Sequence, residues 1–303
     1  MLPSSRLRSF FISPTGYEHN AGESLAENFY HALFWIFMRL KGGNEMFYRH
    51  LGSTDLKVSA LGLGLVKIGR NTSVKYPKPF DLPSDSEFLD LLKEAQNLGI
   101  NFLDTAPAYG TSEERLGKIL EKNFQRSDWI IETKVGEEFE NNLSSFDFSE
   151  SHINKSVERS LKRLGTDYLD IVLVHSDGND VKIINQDEVF VGLEKLKTAG
   201  KIRAFGMSTK TLEGAKLAID HSDLVMLTYN LKENADGVMI DYAHQNKKGV
   251  LIKKGLQSGH AVSLEESIKF IFEKQGVTSF ISGTININHL KENTLLVEEA
   301  CAE

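Results

Sequence analysis

Apolar and polar positions along this chain change period many times between Phe47 and its end. Phe88, Leu91, Leu92, Ala95 and Leu98 recur at helical spacing behind Ser84-Asp85-Ser86-Glu87, which has the form of a capping box. Gly99 ends that helix, and a short apolar strand over 101–106 follows. A helix over Glu113–Lys122 then leads to a strand over Trp129–Val135, and a helix over Glu150–Leu164 to a strand over Tyr168–His175. Helices over Asp187–Ala199, Leu212–Asp220, Gly237–Asn246 and Leu264–Lys274 precede strands over Ile202–Ser208, Leu224–Tyr229, Gly249–Lys253 and Ser279–Ser282. A last helix runs from Ile287 to about Ala300.

Counted from an apolar strand at Leu61–Leu65, this is eight strands, each followed by a helix. The strands are rich in Val, Ile and Leu without alternation, as where both faces are covered. The arithmetic is that of a (β/α)₈ barrel. A doubly wound sheet would want a glycine-rich phosphate turn opening a helix after an early strand. Gly62-Leu63-Gly64 instead runs into a proline-broken loop, Lys67–Pro83. Ahead of the barrel, two β-prone pieces flank Gly52-Ser53-Thr54-Asp55, a hairpin signal.

Composition narrows the class. A net charge of -7 argues against a nucleic-acid surface. The single cysteine, Cys301, excludes an internal disulfide and fits a reducing compartment, so a cytoplasmic location is expected. Residues 1–45 differ from the rest: Arg6 and Arg8 precede a polar stretch, then an apolar run, Phe29–Met38, too short to span a bilayer. A membrane-surface helix, a cap on the main domain, or an extension upstream of a start at Met46 would each account for it. The last is favoured because a coherent hairpin pattern opens at once. The expected division is therefore a disordered or loosely packed extension, 1–45, and a barrel, 46–303.

In a barrel the chemistry gathers where strands end at their carboxyl side. Those ends carry Asp104 with Tyr109 beyond it, Lys134, His175, Ser208, Tyr229 with Asn230, and Lys253. A tyrosine near its reference pKa of about 10 is a poor acid at neutral pH. An adjacent ammonium would lower that value, and a carboxylate would hold the ammonium in place. Asp104, Lys134 and Tyr109 thus read as a proton-donating relay, and His175 as a donor orienting a carbonyl oxygen. Each has a structural alternative, a buried ion pair or a strand-end cap. No His/Cys/Asp cluster has metal-ligand spacing, and no serine sits in a nucleophile elbow. Gly283-Thr284 before the last helix suits a phosphate.

Several stretches are similar to the aldo-keto reductase family: LGLG at 61–64, FLDTAPAYG at 102–110, SVERSLKRLGTDYLDIVLVH at 156–175, GKIRAFGMS at 200–208 and GTININHLKEN at 283–293. The resemblance runs from about Phe47 to the end. It implies a (β/α)₈ barrel closed at its amino end by a hairpin, and an extended nicotinamide dinucleotide, usually NADP with NAD possible, across the mouth. The family tetrad falls on Asp104, Tyr109, Lys134 and His175, implying hydride transfer to an aldehyde or ketone with Tyr109 protonating the oxygen.

The implied cofactor contacts depart from the family pattern in places. Ser208 matches, but Thr209 stands where asparagine is usual, Met226 where glutamine is common, and Lys253 where an aromatic often stacks on the nicotinamide. Thr284, Glu292 and Asn293 match the adenosine-phosphate segment, whereas His289 replaces a common arginine and Gly283 a frequent lysine. NADP preference should be weaker than the family norm, with Lys253 and Lys254 as candidate sources of the missing charge. Val66, Tyr76, Phe80, Phe139 and Phe146 would wall an open substrate pocket. A small-molecule carbonyl substrate is expected, with neither nucleic acid nor, for 46–303, membrane as partner. The alternatives are a cofactor-binding regulatory subunit and a sugar or alcohol dehydrogenase working oxidatively.

Overall fold

In the computed structural model, which describes residues 46–302, the chain opens on an antiparallel hairpin of β1 (Tyr48–His50) and β2 (Lys57–Ser59). The expectations for residues 1–45 lie outside the described residues. Next come β3 (Leu61–Gly64), β4 (Phe102–Asp104) and β5 (Ile130–Val135). A second hairpin, β6 (Glu137–Glu140) and β7 (Leu143–Phe146), follows at once. The remaining strands are β8 (Leu169–His175), β9 (Ile202–Ser208), β10 (Leu224–Thr228), β11 (Gly249–Lys253) and β12 (Ser279–Ser282). Omitting the two hairpins, the strands pair in parallel in chain order, and β12 pairs with β3 to close an eight-stranded barrel.

Helices fill the connections: α1 (Val66–Gly69), α2 (Asp85–Asn97), α3 (Ser112–Asn123), α4 (Glu150–Leu164), α5 (Asp180–Asn185), α6 (Val189–Thr198), α7 (Leu212–His221), α8 (Gly237–Gln245), α9 (Leu264–Phe272) and α10 (Ile287–Ala302). The capping box at the start of α2 is present in full, Ser84 and Glu87 each satisfying the other's backbone N–H. Such a cap contributes about 1 kcal/mol. Phe88, Leu91, Leu92 and Ala95 are the buried face of α2, as their spacing predicts. Among the described residues, no helix is long and apolar enough to cross a membrane.

Two apolar layers result. Most buried residues lie in one cluster, to which the helices and strands both contribute. A smaller one joins Leu51, Leu56 and Val58 of the first hairpin to Phe102, Ile171, Leu173, Ala204, Leu224, Met226 and Leu251 of the strands. The hairpin thus plugs the end of the barrel at which its strands begin, leaving the carboxyl end as the open mouth. Close packing there needs glycine: a Cβ on Gly62 would meet Ile281 Cδ1 at 2.6 Å and Phe102 Cδ1 at 2.8 Å.

Three stretches go beyond the sequence reading, the first being 66–69, where α1 occupies the start of the expected loop. Residues 137–146 form the β6–β7 hairpin rather than a loop, and 180–185 form α5. The hairpin is pinned to the body from two sides: Glu138 bonds to Arg159 and lies 3.2 Å from His152 on α4, and the Arg70 guanidinium stacks 3.3 Å over the Phe139 ring.

Candidate active site

The mouth is built from strand ends. Asp104 closes β4 in register with Glu132 on β5, so Lys134, two residues further, projects from the same face one pleat nearer the mouth. The Lys134 ammonium bonds to Asp104 Oδ1, donates to the Thr105 carbonyl at 3.0 Å, and lies 3.0 Å from Glu132 Oε1. The side chains of Lys134, Asp104 and Glu132 are all almost fully buried. Pro107 then starts a single 3₁₀ turn, Pro107–Tyr109, which ends at Gly110 with φ +63°. Only a residue without Cβ takes that conformation here at no cost, because Gly69 packs against the same face. The turn brings the Tyr109 ring over Lys134, with the ammonium 5.0 Å from the ring centroid.

The electrostatics correct one expectation. Burial of the Tyr109 hydroxyl, helped by the Asp104 charge, raises its pKa well above the usual phenol value, although Lys134 pulls the other way. Asp104 sits on the ammonium and offsets its field, so Tyr109 is held protonated rather than acidified. Burial opposes the Lys134 charge, yet Asp104, Tyr109 and Glu132 together hold that amine well above the normal lysine range. Glu132 was not singled out by the sequence reading. Burial raises its carboxyl well above the usual range despite Lys134, and neither oxygen has an aligned hydrogen bond. One ammonium cannot neutralise two buried carboxylates, so the native state favours the protonated form of Glu132.

His175 ends β8 and faces Tyr109 edge-on, with ring centroids 6.3 Å apart. Its Nδ1 stands 2.7 Å from Glu137 Oε2 on β6, with the ring N–H out of line, and has no other partner among the described residues. Burial pushes the Glu137 carboxyl up, but His175, the Ser144 hydroxyl and Arg70 outweigh it and bring it down to about 2. Burial likewise lowers the His175 pKa, and Glu137 only partly restores it against Lys134 and Lys253. Asp104, Tyr109, Lys134 and His175 are therefore brought to one place.

The cofactor-contact residues divide into two groups. The Lys253 amine donates to Ser208 Oγ and to the Thr209 carbonyl, each at 2.7 Å. It therefore points toward Ser208 and Thr209 at the end of β9. Burial and the neighbouring Lys254 charge pull its pKa down to about 7. Met226 is buried in the inner apolar cluster, and its carbonyl accepts the Thr209 N–H at 3.2 Å. Lys254 is exposed with φ +56°.

At the second group, Thr284 is buried, and Asn286 Oδ1 accepts the N–H groups of Asn288 and His289 at the start of α10. Asn293 donates to Ser282 Oγ at 2.9 Å, while His289 and Glu292 are exposed. A Cβ on Gly283 would meet the Tyr76 hydroxyl at 2.8 Å, so the loop after α1 reaches across the mouth. The Lys67 ammonium stacks 4.0 Å over that Tyr76 ring and 5.2 Å over Phe80. Among the described residues, neither Thr209 Oγ1 nor Asn293 Oδ1, both buried, has a hydrogen-bond partner. Orphaned polar atoms in both groups fit an elongated polar ligand.

Comparison with known proteins bears on the family and the fold. A solved structure from Pseudomonas aeruginosa, assigned to the aldo-keto reductases, is 48% identical, with a TM-score of 0.78, covering 85% of this chain and 98% of that one. Aldo-keto reductase YhdN of Bacillus subtilis is 32% identical over 219 residues, 71% of this chain and 63% of that one. L-galactose dehydrogenase of Arabidopsis thaliana is 38% identical over 172 residues, 54% of this chain and 49% of that one, so the match spans about half the plant protein. The Aldo/keto reductase family model matches residues 60–263, and the chain belongs to the aldo-keto reductase family.

Proposed function

We propose that this chain interconverts a small carbonyl compound and its alcohol, working as a reductase with NADPH or NADH. The observation that carries the reading is the buried Asp104–Lys134 pair lying against Tyr109, with His175 facing the same ring. A bound nicotinamide dinucleotide supplies the hydride, and the chain's own groups handle position and proton. Tyr109 holds the proton that the nascent alkoxide takes. Lys134 stabilises the phenolate left behind, and Asp104 fixes the ammonium in place. His175 orients the substrate oxygen.

Ser208 and Thr209 would hold the nicotinamide end, and Thr284, Glu292 and Asn293 the adenosine end. His289 in place of a permanent cation supports weaker discrimination in favour of NADPH. Phe139, Phe146 and Tyr76 would border the substrate pocket, which suits an apolar or mixed substrate. The likeness to L-galactose dehydrogenase favours a second reading, oxidation of a sugar at the same site. Following reduced-cofactor absorbance against panels of aldehydes and of sugars, with NADPH or NADH and their oxidised forms, separates the two. Turnover on neither panel, with intact cofactor binding, would overturn both and favour a regulatory cofactor-binding role.

A further inference from the structure

Glu137 has no part in the proton path proposed above, yet it lies against His175. It lies three residues beyond Lys134, at the start of the β6–β7 hairpin, with its side chain 13% exposed. Ser144, across the hairpin, donates to Glu137 Oε1 at 2.6 Å, and Glu137 Oε2 is 2.7 Å from His175 Nδ1. Although the ring N–H is out of line, a carboxylate oxygen this close repels a bare ring nitrogen and attracts one that bears hydrogen, so the charge favours the hydrogen on Nδ1. A neutral imidazole has one N–H. With it on Nδ1, Nε2 has only a lone pair and can accept from an alcohol but cannot donate to a carbonyl oxygen. The imidazolium alone has a hydrogen on both nitrogens.

We infer that Glu137 is a positioning residue that fixes the His175 hydrogen on Nδ1, so that His175 donates to a substrate carbonyl only as the imidazolium. The inference rests on the reading of His175 as the group that orients the substrate oxygen. Reduction is then favoured at the acid end of the working range, and alcohols are received better at the alkaline end. The groups that set where this changeover falls surround the ring: Tyr109 from the 3₁₀ turn, Lys134 from β5, Glu137 from the hairpin and Lys253 from β11. Arg70 stands behind Glu137, and Asp104 behind Lys134. Burial and the two lysines oppose the imidazolium and Glu137 supports it, with a net fall below the ordinary histidine value.

The test uses the full chain and two readouts. Nitrogen NMR of His175, assigned by its loss in His175→Gln, reports the tautomer above the titration. The Nδ1–H form is expected in the wild type and the Nε2–H form in Glu137→Gln, whose amide N–H can donate to Nδ1. In parallel, kcat/KM for aldehyde reduction should fall about tenfold per pH unit above the His175 titration in the wild type. It should be flat over that range in Glu137→Gln. Glu137→Asp should restore both the wild-type tautomer and the falling limb, which a merely structural hairpin residue would not. An Nε2–H wild type, or an unchanged limb in Glu137→Gln, overturns the inference. If the wild type turns over no carbonyl, the functional reading fails while the NMR result still decides the Glu137–His175 relationship.

Discussion

Glu132 Oε1 lies 3.0 Å from the Lys134 ammonium, behind the contact that Lys134 makes with Asp104. The folded state therefore keeps a carboxylic acid protonated at pH values where the unfolded chain has lost that proton. With more protons bound in the native state, stability falls as pH rises from the unfolded glutamate value of about 4.3 towards the raised native one. Glu132→Gln has no such proton to lose. Its stability relative to wild type should improve with pH above about 4.3, by at most about 1.4 kcal/mol per pH unit. Urea unfolding of both proteins across that range measures the slope, and a pH-independent difference would reject the protonated acid.

Tyr109→Phe should lower the rate of carbonyl reduction by about 10² to 10⁴ while leaving cofactor affinity unchanged. Because burial and Asp104 raise the Tyr109 pKa, wild-type activity should show no loss from Tyr109 ionisation until the pH exceeds the ordinary phenol value. Steady-state rates and cofactor titration by fluorescence check the two halves separately. Full activity in the phenylalanine variant would remove Tyr109 from the proton path.

What the sequence conveyed and what it withheld follow from where each signal resides. The eight strands were legible because burial on both faces leaves uninterrupted runs such as Leu169–His175 and Leu224–Thr228. The placement of Asp104, Lys134 and His175 was legible because each stands at or near the carboxyl end of an apolar strand. The β6–β7 hairpin was not, since no residue in either strand is fully buried and the apolar alternation is missing. Its turn, Asn141-Asn142 with φ of +51° and +63°, carried the usable clue, as asparagine pairs favour that turn. Missing the hairpin hid Glu137. Glu132 stood in plain view within the strand, but its meaning depends on β4 pairing beside β5. The raised Tyr109 pKa was illegible for the same reason: a sequence names the cation but cannot weigh it against Asp104 and burial.

Lys253 sits on Ser208 and Thr209, so its removal should affect NADPH and NADH alike. Lys253→Met should change both dissociation constants by the same factor, and a loss confined to NADPH would return the amine to the adenosine end. The same variant carries a pH signature. Between its native pKa of about 7 and the unfolded lysine value of about 10.4, the unfolded chain binds the extra proton, so wild-type stability rises with pH across that window. Lys253→Met should lack that rise in denaturant unfolding.

His289 is exposed in the first turn of α10, where Asn286 Oδ1 already accepts two of the helix's leading N–H groups. A phosphate arriving at this turn therefore finds fewer free donors than an uncapped helix would offer, and a side chain that is mostly neutral at pH 7. His289→Arg supplies a permanent charge and a planar pair of donors. A hydrogen bond to a charged group is worth about 1.5–3 kcal/mol, and exposure to solvent places this one at the low end. NADPH affinity should rise by about tenfold with NADH affinity unchanged. Fluorescence titration with each cofactor measures it, and an equal change for both would show that the 2′-phosphate is held elsewhere.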